Sequence, residues 1–265
     1  MIRLICTLCA LLVWLTASPA LAQGNLADKQ LQRGSELAQD AFAAAESGDF
    51  TRSERLWSEL IEVFPTNPAV WSNRGNVRVS QNKLDAAIAD FNESIRLDPD
   101  APDPYLNRGI AYEGQGRWED AIADYNHVLA LTPNDPMAYN NRGNAQAGLQ
   151  RWDDALADYQ KAADIAPNFA FARANAALIY YQVGDEEKAE REMRNLVRKY
   201  PMFPDMRAAL SAVLWTQGKQ GEAESNWVAA MGIDKRYRDI DWVERVRRWP
   251  PGMVAALDKF IKIDS

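Results

Sequence analysis

The chain has 265 residues and a formal net charge of −7, an acidic balance that argues against nucleic-acid partners. Its single histidine is His127, and both cysteines, Cys6 and Cys9, lie near the N-terminus, so no residue set for zinc or cysteine chemistry spans the rest. With no phosphate loop and no Gly-x-Ser-x-Gly elbow either, no catalytic residue, metal site, cofactor or small-molecule substrate is expected.

Residues 1–22 read as a cleaved signal peptide. Arg3 precedes an apolar run from Leu4 to Leu15, which leads to Ala20-Leu21-Ala22, a small-x-small cleavage signal. The run is short for a membrane span; the alternative is an uncleaved anchor. Bulky Ile5 and Leu8 before the two cysteines argue against a lipoprotein site. The mature chain would then begin at Gln23 and be exported, to a periplasm or a thylakoid lumen, without needing a disulfide. Residues 23–33 form a lead-in.

From Gly34 the chain repeats every 34 residues, six times, without an insertion: 34–67, 68–101, 102–135, 136–169, 170–203 and 204–237. Position 8 of each repeat is small (Ala41, Gly75, Gly109, Gly143, Ala177, Ser211), and so is position 20 (Ser53, Ala87, Ala121, Ala155, Ala189, Ala223). Position 24 is large: Trp57, Phe91, Tyr125, Tyr159, Met193 and Trp227. Two antiparallel helices cross closely only where little side chain intervenes. Position 15 holds Gly48, Asn82, Gly116, Gln150, Gly184 and Gly218, which suits a left-handed residue past a helix end, with Gln150 the exception and Gly148 nearby. Proline at position 32 (Pro65, Pro99, Pro133, Pro167, Pro201) ends a second helix, and proline at position 1 of four repeats suits a first turn. The expected fold is all-α: a solenoid of six tandem helix-turn-helix repeats with terminal capping helices.

Arginine at position 7 and aspartate at position 23 occur together in three repeats, as Arg74 with Asp90, Arg108 with Asp124 and Arg142 with Asp158. Pairing inside each repeat satisfies all three; pairing to the following repeat would leave Arg74 and Asp158 over.

These residues resemble the tetratricopeptide repeat family, most clearly over Trp71–Pro99, Tyr105–Pro133 and Tyr139–Pro167, with repeats 1, 5 and 6 more divergent. The resemblance implies a concave groove lined by the first helix of each repeat. There, position 6 carries Asn73, Asn107, Asn141 and Asn175, and Asn76, Asn140 and Asn144 extend the column. A carboxamide both donates and accepts, so such a column can pair with an extended peptide backbone; the alternative is that each asparagine merely caps or solvates its helix. The family's carboxylate clamp is not expected. Asn76 and Asn107 match its asparagines, but Ser72, Met137 and Asn141 stand where cations are needed. Towards its C-terminal end the implied groove turns apolar, with Phe171, Leu178, Tyr181 and Trp215. That end is either a docking site for a partner or a space filled by the chain's own tail.

The single histidine, at position 26, is expected to be a solvated residue. The tail, 238–265, is expected to form a helix over Asp241–Arg248, break at Pro250-Pro251, and continue as a helix from Gly252 to Ile263. Trp242, Val246 and Trp249 would share one face, and Val254, Leu257 and Ile261 another. It reads as a cap on repeat 6 or as a partner-docking tail. The run Trp242–Pro251 is similar to the tail of thylakoid-lumen tetratricopeptide proteins of plants and cyanobacteria. The expected function is a scaffold or assembly factor that holds another polypeptide in the groove. The alternative is an adaptor that joins envelope or photosynthetic membrane complexes through its outer surface.

Overall fold

A computed structural model describes residues 21–264, with side chains over 29–262. The expected leader and Cys6 and Cys9 fall outside the described residues, apart from Leu21 and Ala22, which already belong to the first helix. The described chain is helical. It divides into two compact units, the first ending at Leu131 and the second beginning at Thr132.

The N-terminal unit contains three helix pairs: α1 (Leu21–Glu46) with α2 (Phe50–Val63), α3 (Pro68–Ser80) with α4 (Leu84–Leu97), and α5 (Pro102–Gly114) with α6 (Trp118–Leu131). The lead-in is thus helical, continuous with the first helix of repeat 1. The C-terminal unit contains α7 (Pro136–Gly148) with α8 (Trp152–Ile165), α9 (Ala170–Gln182) with α10 (Glu186–Lys199), and α11 (Pro204–Thr216) with α12 (Gln220–Ile233). A 3-10 turn over Lys235–Arg238, α13 (Ile240–Arg245) and α14 (Pro251–Asp264) follow.

The small–large pattern is the packing rule. A Cβ placed on Gly109 would lie 2.5 Å from Tyr125, and one on Gly75 would lie 2.6 Å from Phe91. The aromatic ring of the second helix thus fills the space that the glycine of the first leaves. At position 20, Ala87, Ala121, Ala155, Ala189 and Ala223 are fully buried. Ser53, equally buried, donates its hydroxyl to the Ala41 carbonyl at 2.8 Å, so the one polar side chain at position 20 is satisfied.

Every first helix ends in the same way. The residue at position 15 has a positive φ in all six repeats, including Asn82 and Gln150, both at 59°. The next amide then reaches back to the first helix, as in Lys83 to the Arg78 carbonyl at 2.8 Å and Arg151 to the Gln146 carbonyl at 2.9 Å. Gln150 is therefore no exception. It takes the left-handed conformation that lets the Arg151 amide reach the Gln146 carbonyl, as the matching amides do in the other repeats, and Gly148 remains the last residue of α7. The Gln150 side chain is exposed and contributes nothing to offset the strain. Gln150→Gly should raise stability by about 0.5–1 kcal/mol. Gly116→Ala should lower it by a similar amount, through the backbone alone, since an added Cβ meets nothing within 4 Å. Urea midpoints that fail to move in opposite directions would refute this account.

The three arginine–aspartate pairs form inside their repeats. Arg108 holds Asp124 through Nε at 2.8 Å and Nη2 at 2.6 Å, and Arg74 and Arg142 hold Asp90 and Asp158 in the same forked way. The remaining guanidinium nitrogen reaches back to the preceding repeat, from Arg74 to Ser58 and from Arg108 to Asn92. One side chain thus sets two helix–helix angles.

The tail departs from expectation. The helix predicted over Asp241–Arg248 stops at Arg245, because Arg247 donates its amide to the Trp242 carbonyl and Arg248 takes a φ of 55°. Pro250 disfavours a helical residue before it, which suits this break. The face predicted for Trp242, Val246 and Trp249 is consequently lost. Val246 is 60% exposed, while Val243 and Trp249 are buried. In α14 the predicted face holds: Leu257 is buried and Val254 and Ile261 pack beside it.

Candidate peptide-binding face

In the N-terminal unit, α3 and α5 lie side by side. Asn73 and Asn76 on α3 and Asn107 on α5 are half-buried, and no hydrogen bond to another described residue uses their carboxamides. Their neighbouring cations are already committed. Arg74 pairs with Asp90, and Arg78 pairs with both Asp90 and Glu54. The hydrogen bonds that Arg108 donates to Asp124 hold its guanidinium above the ordinary pKa against the opposing effect of burial. Glu113, buried on α5, accepts the Tyr125 hydroxyl at 2.6 Å. Glu54 is pushed up by burial, but hydrogen bonds from Lys83 and Arg78 outweigh this and leave its carboxyl below the usual range. The face therefore presents neutral carboxamides on a framework whose charges are internally matched. It can pair with main-chain N–H and C=O groups and has little to offer a terminal carboxylate. His127 is exposed, as expected, but its ring also stacks on Tyr105 with centroids 4.0 Å apart.

In the C-terminal unit the same residue type does something else. Asn175 donates to Asn140 and Asn144, each at 3.1 Å. Asn144 also accepts the Tyr159 hydroxyl at 2.9 Å, and Asn140, which is buried, donates to Asn141 at 3.2 Å. Here the asparagines stitch α7 to α9.

The apolar end is filled. Helix α14 rests on α11 and α9, the first helices of repeats 6 and 5. Phe260 meets Trp215 edge-on with centroids 5.3 Å apart, and the Gly252 amide donates to Gln182 at 2.7 Å. Leu178 is 5% exposed. Tyr181 is half-buried, and burial raises its pKa against a hydrogen bond with Thr216. Trp215, Leu178 and Tyr181 therefore do not form the open aromatic docking site that the sequence suggested, because the chain's own tail lies there. Phe171, at the opposite end of α9, remains 55% exposed.

A charged clasp that sequence reasoning missed holds the tail in place. Asp205, 5% exposed at the start of α11, accepts a forked pair of bonds from Arg247 and a third from Trp249 Nε1 at 3.0 Å. Burial opposes the Arg247 charge, but Asp205 and Tyr237 more than offset it, so its pKa lies above the ordinary value. Burial and the Asp205 charge likewise push the Tyr237 hydroxyl up. The signal was present as an aspartate at position 2 of the last repeat and an arginine–tryptophan pair in the tail. Nothing in the sequence joined residues 42 apart.

Family models agree with this architecture. One described as TPR repeat matches residues 75–116, and one described as tetratricopeptide repeat matches 106–168 and 175–234. Together they span more than half of the 265 residues, and the chain belongs to the tetratricopeptide repeat family. A curated relative, tetratricopeptide repeat protein 36 of Caenorhabditis briggsae, is 37% identical over 62 residues, which are 23% of this chain and 35% of that protein. The match thus spans about a third of the relative's length. Among solved structures, a tetratricopeptide repeat protein from Parabacteroides merdae superposes with a TM-score of 0.63 at 20% identity, covering 87% of this chain and 99% of that one. YrrB, described as a TPR protein with an unusual peptide-binding site, gives 0.52 at 18% identity over 72% and 97% of the two chains. At these identities the structures speak to fold. The fold is that of a protein–protein interaction scaffold, an architecture that is generally non-catalytic.

Proposed function

We propose that the chain is an exported scaffold or assembly factor that holds an extended stretch of another polypeptide against the asparagine face of its N-terminal unit. The observation that carries this reading is the pair Asn73 and Asn107, one repeat apart on adjacent first helices, half-buried, with carboxamides unclaimed by any described residue. Each carboxamide offers a donor and an acceptor to a peptide main chain. Export to a periplasm or thylakoid lumen rests on Arg3, the apolar run and Ala20-Leu21-Ala22. Exported protein that still began at Met1 would remove that part.

Asn73→Ala with Asn107→Ala should weaken binding of a captured partner peptide about tenfold or more, since each lost bond removes about 0.5–1.5 kcal/mol. Circular dichroism should show the fold intact, because neither carboxamide supports it. Main-chain contacts tolerate sequence, so peptides of different sequence should lose affinity alike. Unchanged affinity in the double variant would reject the face and favour an adaptor acting through its outer surface.

A further inference from the structure

The turns that lead into the first helices change character along the chain. The two residues before each helix are Thr66-Asn67, Asp100-Ala101, Asn134-Asp135, Asn168-Phe169 and Met202-Phe203. Asn67 and Asp135 cap their helices through side-chain oxygens. Phe169 and Phe203 stand at the equivalent place and make no capping bond. Met202 is 73% exposed at a position that is polar in the other four turns. Phe203 lies 5.6 Å from Phe171, and Phe171 lies 6.5 Å from Phe169. An apolar cluster has replaced capping groups at a solvent-facing edge, which marks an interaction surface.

Charge changes sign over the same stretch. Residues 1–190 carry 16 Lys and Arg against 27 Asp and Glu, whereas residues 191–248 carry 12 against 8. Arg198 and Lys199 end α10, and Lys235 and Arg238 lie in the 3-10 turn; all four are exposed, and none pairs with a carboxylate among the described residues. Lys199 reaches Asn168 at 2.9 Å, which places it beside the α8–α9 turn. Tyr237 of the 3-10 turn lies against Asp205, near Phe203, and the Asp205 charge is covered by Arg247. The apolar tips and the unpaired cations thus share one edge of the C-terminal unit.

We propose that this edge docks on an anionic phospholipid surface. Met202 and Phe171 enter the boundary between headgroups and acyl chains, while Arg198, Lys199, Lys235 and Arg238 face the phosphates. Shape decides between a membrane and an acidic protein. A protein hot spot is a packed pocket ringed by contacts that exclude water. Here the apolar side chains stand out from turn tips, a form that a fluid interface accommodates. No helix among the described residues is long and apolar enough to cross a membrane, so the described part attaches from the side.

The test uses the chain from Gln23, which has no cysteine, with Met202→Cys, labelled at residue 202 with an environment-sensitive fluorophore. Vesicles of phosphatidylglycerol and phosphatidylcholine should shift its emission to the blue, and pure phosphatidylcholine should not. High salt should reverse the shift, because screening removes the phosphate attraction. Lys199→Glu with Lys235→Glu should reduce partitioning at least about tenfold. The same label in an Ala130→Cys chain, on the exposed side of α6, should not respond. No shift at residue 202 on anionic vesicles, or an equal shift at residue 130, would overturn the proposal. A shift with soluble polyglutamate but not with vesicles would overturn it in favour of an acidic protein partner.

Discussion

Asp205→Ala is expected to release the C-terminal tail and to lower stability by about 3–5 kcal/mol, the range for removing one partner of a buried ion pair. The loss is large because three donors converge on one carboxylate. Without it, the half-buried Arg247 guanidinium loses the carboxylate it is hydrogen-bonded to, and the Trp249 N–H loses its acceptor. Asp205→Asn should fall between wild type and alanine, since it keeps an acceptor but not the charge. Amide exchange should localise the effect: residues 251–264 should lose protection while α3 to α5 keep theirs. A wild-type urea midpoint with α14 still protected would show that the apolar contacts of Phe260 and Leu257 hold the tail without the clasp.

The second large effect concerns the repeat interior. Asp124→Ala should cost about 3 kcal/mol, because Arg108 is left 18% exposed beside a hole where its carboxylate was. Arg108→Ala with Asp124→Ala should cost less than Asp124→Ala alone, since no charge is then stranded. The double change still forfeits the bond from Arg108 to Asn92, so it does not return to wild type. A double-variant cycle measured by chemical denaturation decides the matter. Strictly additive losses would mean that the two side chains are solvated independently, in conflict with their 2.6 Å contact.

Much of the fold was legible because a repeated pattern over-determines each element. Six in-register copies identify position 8, position 20 and position 24 as a packing set, and Gly109 beneath Tyr125 bears that out. The same redundancy fixed the arginine–aspartate pairing, which three repeats satisfy only in one register. Gln150 was misread from its own identity, when the positive φ shared by position 15 of every repeat was the better guide. The tail was least legible. It has no copies, so periodicity assigned Trp249 to a helix face when Pro250 and the Arg248 backbone swing it into the core. The asparagines divided for a similar reason. Composition shows that a carboxamide is present, but whether it is free depends on what the adjacent helix presents. Asn175 meets Asn140 and Asn144, and Asn107 meets no such partner.

The folded-back tail also governs how such a chain can lengthen over generations. Arrays of this kind grow by copying whole repeats, and each copy needs a bare helix pair on which to stack. A copy appended after Tyr237 would find none. The 3-10 turn already packs on α12, α14 lies across α11 and α9, and Asp205 is engaged by Arg247 and Trp249. A copy inserted ahead of repeat 5 leaves those contacts as they are. Duplication is therefore tolerated inside the array and blocked at this end, where α14 has closed the register.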